Sequence, residues 1–268
     1  MRVCILTSDQ PRHRYMVNAI ASKFNVVAVF SQAKSPKRQP DTRSILYNME
    51  GKEEIIRYVE EFRETERRYL FPYGREFRLP RDVPLYSIEP DEMNASETVA
   101  KIAFLKADCF AVFGTGLIKR ELLGLTPNFI NIHLGLSPNY RGHACSFWPF
   151  YNDEPQYVGV TVFFIDEGID SGPIIHQSLV DLEPGDVIHD ASLKAIRAGI
   201  DLQIKALEEL ANDTIIGHPQ DLSKGRTHYA KDFNVNVLRE IQTRWDNGRL
   251  RQYVSMQERL KTQIRYIA

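Results

Sequence analysis

Met1-Arg2-Val3-Cys4-Ile5-Leu6-Thr7, then Ser8-Asp9-Gln10-Pro11, and, after a segment running to Phe24, Asn25-Val26-Val27-Ala28-Val29-Phe30-Ser31 read together as a βαβ unit. The first run is apolar without regular alternation, the texture of a strand covered on both faces. Ser8 to Pro11 supplies a capping polar residue and a proline in the first helical turn. The second apolar run returns the chain to the sheet, and such a unit predicts parallel strands. Met1 to Thr7 soon meets Asp9, Arg12 and Arg14, so it is expected to be a buried strand rather than a signal peptide.

The same alternation continues outward. Residues 33–45, with Lys34, Pro36, Lys37, Arg38 and Pro40, read as an exposed loop, and Gly51 to Tyr69 as an amphipathic helix carrying Ile55, Ile56, Val59 and Phe62. A short run at 85–88, a helix over about 95–105, strands at 109–113, 129–133 and 158–165, and a pairing strand at 174–177 follow. The expected fold is α/β: a Rossmann-like, mostly parallel sheet with helices on both faces, occupying 1–185. Residues 186–268 are expected to form a smaller, mainly helical extension. Leu193, Ile196, Ile200, Leu207 and Leu210 share one helical face there, and Leu250, Tyr253, Leu260, Ile264 and Ile267 form a second stripe running to the end. That terminal stripe could pack on the core or on a second copy in a homodimer.

Composition narrows the function classes. The 268 residues are 43% hydrophobic and 26% charged with a net charge of −1, enough for a core without disulfide or metal staples. The charge balance argues against binding nucleic acid mainly by bulk electrostatics, although residues 224–268 carry ten Lys or Arg against four acids. Mean hydropathy is −0.34, and no apolar window is long enough to cross a bilayer. Cys4, Cys109 and Cys145 make no CxxC pair and no even framework, so a reducing, cytoplasmic location is expected.

Cofactor motifs are mostly excluded. Gly114-Thr115-Gly116 lacks the third glycine of a dinucleotide fingerprint, and the first βα turn, Ser8 to Arg14, contains no glycine. A pyrophosphate could not approach that backbone in the usual way, so NAD and FAD are disfavoured, and no P-loop is present. The seven histidines form no HxxxH pair, and none lies near two cysteines, so no metal site is expected.

The informative segment is 129–177. Asn131 and His133, two apart on a strand, project to one face near its carboxyl end, where open parallel sheets place their ligands. An amide and an imidazole side by side make an oxyanion donor and a proton acceptor, and Asp170 lies in a glycine-bounded acidic loop free to approach the ring. No serine or cysteine nucleophile is required. Taken alone, one histidine at a strand end is more often a hydrogen-bonded structural residue than a catalyst.

The ordered combination changes that balance. Asn131-Ile132-His133, the loop Leu136-Ser137-Pro138-Asn139-Tyr140-Arg141-Gly142, and Gly159-Val160-Thr161 followed by Asp166-Glu167-Gly168-Ile169-Asp170-Ser171-Gly172-Pro173 resemble the folate-dependent formyltransferase family. That family includes glycinamide ribonucleotide, methionyl-tRNA and sugar-nucleotide N-formyltransferases. The resemblance is sharp over about 109–177 and weak beyond 190. It implies transfer of a formyl group from N10-formyltetrahydrofolate to a primary amine without a metal. Asn131 and a protonated His133 would stabilise the oxyanion, and Asp170 would orient and charge the imidazole. Phe113, Gly114, Gly116, Leu117 and Ile118, with Asp166, Glu167 and Gly168, would line the pterin pocket, mainly through backbone groups.

The acceptor is approached by elimination. The residues after the core read helical rather than as the strand-rich barrel of methionyl-tRNA formyltransferases, and the glycine-rich phosphate loop of the glycinamide ribonucleotide enzymes is absent. A nucleotide-linked amino sugar remains the favoured acceptor; another small-molecule amine, a peptide amine and methionyl-tRNA stay open. Arg12, His13 and Arg14 sit where a helix N-terminus favours an anion such as a diphosphate; the alternative is that Arg12 and Arg14 are plain surface charges. Tyr140, Arg141 and His143 stand beside the expected site as further substrate contacts. Trp148, Phe150 and Tyr151 could stack on a base or sugar, but aromatics there are more often core. A non-catalytic folate- or nucleotide-binding module is the alternative of a different class.

Overall fold

The computed structural model describes residues 1–33, 51–72, 82–89 and 91–267; the expected loop from 34 onward lies outside them. Apolar runs of strand length form a seven-stranded sheet. Its members are β1 (Arg2–Ser8), β2 (Asn25–Gln32), β3 (Leu85–Ile88), β4 (Cys109–Phe113), β5 (Phe129–His133), β7 (Gly159–Phe164) and β8 (Ile174–Leu179), in the order β3-β2-β1-β4-β5-β7-β8. The five strands from β3 to β5 pair in parallel, while β7 runs antiparallel to both β5 and β8.

Helices cover both faces, which is why the strands carry no polar side. Val3 and Ile5 of β1, with Ile130 and Ile132 of β5, point into a cluster shared with α1 (Pro11–Ala21) and α6 (Ile188–Ala211). Cys4, Leu6, Phe110, Val112 and Phe129 point the other way, to Ile102 of α3 (Ser96–Phe104) and Leu122 of the single-turn α4 (Arg120–Leu123). The charged helix α2 (Lys52–Leu70) lies against α1 and α6. Helix α6 buries Leu193, Ile196, Ile200 and Leu207. It packs across β5, β7 and β8, so the sheet's helical layer runs past the expected boundary at 185/186 to Ala211.

The terminal stripe is a correction. It does not form one helix: α7 (Val235–Arg244) is followed by a wide turn at Trp245–Arg249, then α8 (Leu250–Val254) and α9 (Gln257–Lys261), with α5 (Trp148–Tyr151) lying earlier in the chain. Tyr253 is buried in the core. Ile267 leaves the helical path altogether, and its carbonyl accepts the backbone N–H of Gln177 on the edge strand β8 at 2.5 Å. An edge strand has unpaired amides to satisfy, and the chain end supplies that partner. A second feature absent from the sequence reading is a two-stranded ribbon in which β6 (Tyr140–Gly142) pairs in parallel with β9 (Arg226–His228). No helix among the described residues is long and apolar enough to cross a membrane.

Candidate active site

Strand β5 ends at His133, and its odd positions share the face that carries Phe129. Asn131 and His133 therefore stand together at the carboxyl end. The loop between β7 and β8 leaves the sheet where Phe164 pairs with Ile130, then folds back until Asp170 reaches the level of His133. His133 Nδ1 lies 3.2 Å from Asp170 Oδ2, with the two side chains 7% and 18% exposed. The same Oδ2 accepts the Gly142 N–H at 2.8 Å. Asp170 holds a left-handed φ of 47°, costly for a residue with a Cβ and fixed here by these contacts.

The other imidazole nitrogen, Nε2, lies 2.9 Å from the Tyr140 carbonyl oxygen. A carbonyl only accepts, so a hydrogen bond there requires the proton on Nε2. The second contact sets Nδ1 against the Asp170 carboxylate. The Asn131 amide makes no hydrogen bond to the described residues and is half-buried, which leaves its N–H groups for a ligand.

The supporting residues explain why the ring stays there. A Cβ at position 135 would overlap His133 Nε2 and lie 2.8 Å from the Tyr140 carbonyl, so glycine is required directly beneath the ring. The Thr161 hydroxyl, opposite His133 on β7, donates to the Gly135 carbonyl at 2.7 Å and accepts the Ser137 N–H at 2.9 Å. Gln177 donates to Thr161 Oγ1 at 3.0 Å and to the Ser137 carbonyl at 2.6 Å. Thr161 lies inside the family-like motif and Gly135 between two of its parts, but the sequence did not reveal their holding role, because one-dimensional spacing shows neither the cross-strand register nor the close approach. Burial, reinforced by the Asp170 charge, pushes the Cys145 thiol well above its usual range. That keeps this buried neighbour a neutral wall rather than a nucleophile.

The remaining predicted residues divide. Phe113 and Ile118 are buried, whereas Leu117 between them is 65% exposed. Their loop is held by Gln32, which accepts the Gly116 N–H, and by Asn94, which bonds the Leu117 carbonyl and the Lys119 N–H. Gly114 adopts a φ of 74° where a Cβ would overlap His13. Asp166 Oδ1 accepts from Gly168 N–H and Ser171 Oγ, shaping the acidic loop, and Glu167 pairs with Arg120 on the surface. Tyr140 turns its phenol into the interior toward Glu154 and Asn152, so it meets the site through its carbonyl. Arg141 has a buried Nε with no hydrogen-bond acceptor among the described residues. His143 is exposed at the rim.

Arg12, His13 and Arg14 follow β1, two strands from β5 along the same carboxyl edge. Arg12 pairs at 2.5 Å with Glu66, whose carboxylate is fully buried on α2; burial raises its pKa against the lowering pull of Arg12. His13 is fully buried, edge-on to Phe113 with centroids 4.9 Å apart, so its ring supports the 113–118 loop from behind. Arg14 joins Thr7, Ser8, Asp9, Ser31 and Ser87 around a surface hollow at the ends of β1, β2 and β3. A second hollow, around Arg2, Phe24 and Asp82, sits at the opposite edge of the sheet, away from this chemistry. Trp148 and Phe150 are core residues.

A carboxylate-oriented imidazole beside an open amide at the end of a parallel strand has the groups that acyl transfer uses, a charge-stabilising ring and a hydrogen-bond donor. Residues 1–199 match the family model described as "Formyl transferase", and the chain belongs to that family, the folate-dependent formyltransferases. A methionyl-tRNA formyltransferase from Kosmotoga olearia is 28% identical over 252 residues, covering 92% of this chain and 70% of the relative. Three further methionyl-tRNA formyltransferases, from Desulforamulus reducens, Roseiflexus castenholzii and a Roseiflexus species, match over 50% of this chain and 42–43% of their own length. Among solved structures, an N-formyltransferase from Helicobacter canadensis in complex with folinic acid and dTDP-3-aminofucose aligns with a TM-score of 0.55 at 18% identity, covering 87% of this chain and 72% of that one. Phosphoribosylglycinamide formyltransferase from Anaplasma phagocytophilum aligns with a TM-score of 0.56 at 16% identity, covering 86% and 98%. These structural likenesses establish the shared fold.

Proposed function

We propose that the chain transfers the formyl group of N10-formyltetrahydrofolate to the primary amine of a nucleotide-linked amino sugar. The observation that carries the reaction is the Asp170–His133 contact beside the unpartnered amide of Asn131. The amine attacks the formyl carbon; Asn131 donates a hydrogen bond to the developing oxyanion, and the charged ring of His133 lowers its energy in a site largely shielded from water. Asp170 holds the ring and stabilises its charge, and helps route the proton from the attacking amine to the leaving N10. The exposed Leu117 on a loop anchored by Gln32 and Asn94 offers an apolar surface for a flat ring, and the 166–168 turn offers backbone groups to its polar edge.

Three observations support the sugar half of this reading. The hollow at β1 to β3 is lined by Asp9, Arg14, Ser31 and Ser87 together with Val17, Val29 and Leu85, and offers a cation to an anionic group and two serines to sugar hydroxyls. Arg141 keeps a buried donor without an acceptor. Beyond Ala211 the described residues form short helices and loops, with Arg226–His228 as the strand. The Helicobacter canadensis neighbour, solved with a dTDP-linked amino sugar, agrees with this choice. Methionyl-tRNA is the second reading, favoured by the alignment of 92% of this chain to the Kosmotoga enzyme and by the basic residues after 224. The free thiols Cys4, Cys109 and Cys145 suit a reducing cytoplasm.

The test is turnover with N10-formyltetrahydrofolate and a panel of nucleotide-linked amino sugars, glycinamide ribonucleotide and methionyl-tRNA, following tetrahydrofolate release and product mass. A single formyl group gained by an amino sugar is the expected result. Gain on methionyl-tRNA alone would replace the acceptor. Folate binding with no transfer to any amine would revive the binding-module reading.

A further inference from the structure

Asp170 is held by two stretches of backbone, and both are held in turn by one segment beyond the region matched by the family model. His218 pairs with Ile174 through two backbone hydrogen bonds, 2.7 and 2.8 Å, at the start of β8. Two residues later Gln220 Nε2 donates to the carbonyls of Asp170 at 3.0 Å and Gly172 at 2.6 Å. The segment then runs to β9, where Arg226 N–H donates to the Asn139 carbonyl and the His228 carbonyl accepts the His143 N–H at 2.8 Å. Its path clasps the Asp170 loop on one side and the 139–143 loop on the other. The second loop supplies both the Gly142 N–H to Asp170 and the Tyr140 carbonyl to His133.

His228 does this with its ring as well as its backbone. The imidazole is sandwiched between Trp148, at 4.5 Å between centroids and 9° between planes, and Tyr140, at 5.9 Å and 7°. Gly142 has a φ of 92°, and a Cβ there would overlap the His228 carbonyl, so strand and loop are in close contact. Both a side-chain amide that bridges two carbonyls and a stacked ring reduce the freedom of the parts they touch, and catalytic geometry is sensitive to displacements of about 1 Å.

We infer that residues 218–228 form a positioning strap, in which Gln220 and His228 keep Asp170 aimed at His133 without touching substrate. The inference rests on the formyl-transfer reading for its rate effect, but the geometry it concerns can be read without any acceptor. The experiment compares Gln220→Ala, Gln220→Met, His228→Ala and His228→Phe with Asp170→Asn in the full chain. It uses the imidazole ¹⁵N shifts of His133, together with kcat and KM on the accepted amine. Gln220→Ala and His228→Ala should move the His133 shifts toward those of Asp170→Asn. They should lower kcat by about tenfold to hundredfold, with KM for the folate within about twofold. His228→Phe keeps the stack and should restore most of the loss; Gln220→Met keeps the shape without the amide and should not.

Should Gln220→Ala unfold by circular dichroism, Gln220→Met carries the comparison. Wild-type shifts and kcat in folded Gln220→Met and His228→Ala, with Asp170→Asn inactive, would overturn the strap and leave the formyl-transfer reading standing. Undiminished transfer by Asp170→Asn would instead overturn that reading, while altered His133 shifts in the strap variants would still support the positioning.

Discussion

At the residue scale the proposed reaction rests on Asn131, His133 and Asp170 and on the glycine beneath the His133 ring. Replacing Asn131 with alanine removes an oxyanion donor, and kcat is expected to fall by about 10²- to 10³-fold, with folate affinity, measured by equilibrium binding, nearly unchanged. Asp170→Asn retains the shape but loses the carboxylate that faces His133 Nδ1 at 3.2 Å. The same direction of change is expected, again in kcat rather than in folate binding. A binding module would have no turnover to lose, so equal and negligible rates in wild type and both variants would sink the enzyme reading. Gly135→Ala tests the geometry from below: its methyl group would lie 2.6 Å from Cys145 Cβ and overlap the His133 ring. The ring must tilt away from Asp170 or the loop must lift, and kcat should fall by about tenfold to hundredfold while the variant remains folded. Full activity in Gly135→Ala would show that the His133 orientation seen here is not the working one.

At the element scale the sheet is positioned by helix α6, and Gly199 is where that helix comes closest. A Cβ there would sit 2.7 Å from Val160 Cγ2 and 2.8 Å from Ile132 Cγ2, on the strands that carry Thr161 and His133. Gly199→Ala should therefore cost about 1–3 kcal/mol by overpacking, despite alanine's better helix propensity. A lower urea midpoint is the measurement, and an unchanged or higher one would mean that α6 shifts freely. Elements such as α6 and β5 were legible in the sequence because each repeats one period over enough residues: Leu193, Ile196, Ile200 and Leu207 at helical spacing, Phe129 to His133 as an unbroken run. Asn131, His133 and Asp170 were legible as an ordered motif. The β6–β9 ribbon was not, because three-residue strands have no period to detect, and their pairing joins positions more than eighty residues apart. The stripe at 250–267 misled for the opposite reason. Helical spacing was present, but the bare edge of β8 drew Ile267 into a backbone pair, a tertiary contact that overrides local pattern. Arg12 and His13 likewise read as contacts for an anionic substrate group, since nothing near them in sequence announces the buried Glu66 or the Phe113 ring that they meet instead.

At the scale of the whole molecule, two histidines join parts of the chain that are distant in sequence. His189, at the start of α6, packs between Tyr58 and Phe62 of α2, with centroids at 4.6 and 5.2 Å. His228 lies between Trp148 and Tyr140. Burial is the main cause holding both imidazoles below their ordinary pKa. For His189 it outweighs the raising effects of Glu61 and Asp190; for His228, Arg226 adds to it and Asp232 opposes it. The native state therefore binds fewer protons than the unfolded chain in the window between each lowered value and the ordinary one, about 6.5. Where the unfolded state binds more protons, stability rises with pH. The contribution is complete above the ordinary value and is lost as pH falls through the window. Urea midpoints measured from pH 7.5 to 5 should accordingly decline in the wild-type chain. His189→Phe and His228→Phe, which keep an aromatic ring in each stack but cannot take up a proton, should each flatten that decline, and the double variant should flatten it most. Parallel slopes in all four proteins would show that these rings stay neutral at no cost, and the acid sensitivity would then belong to other groups.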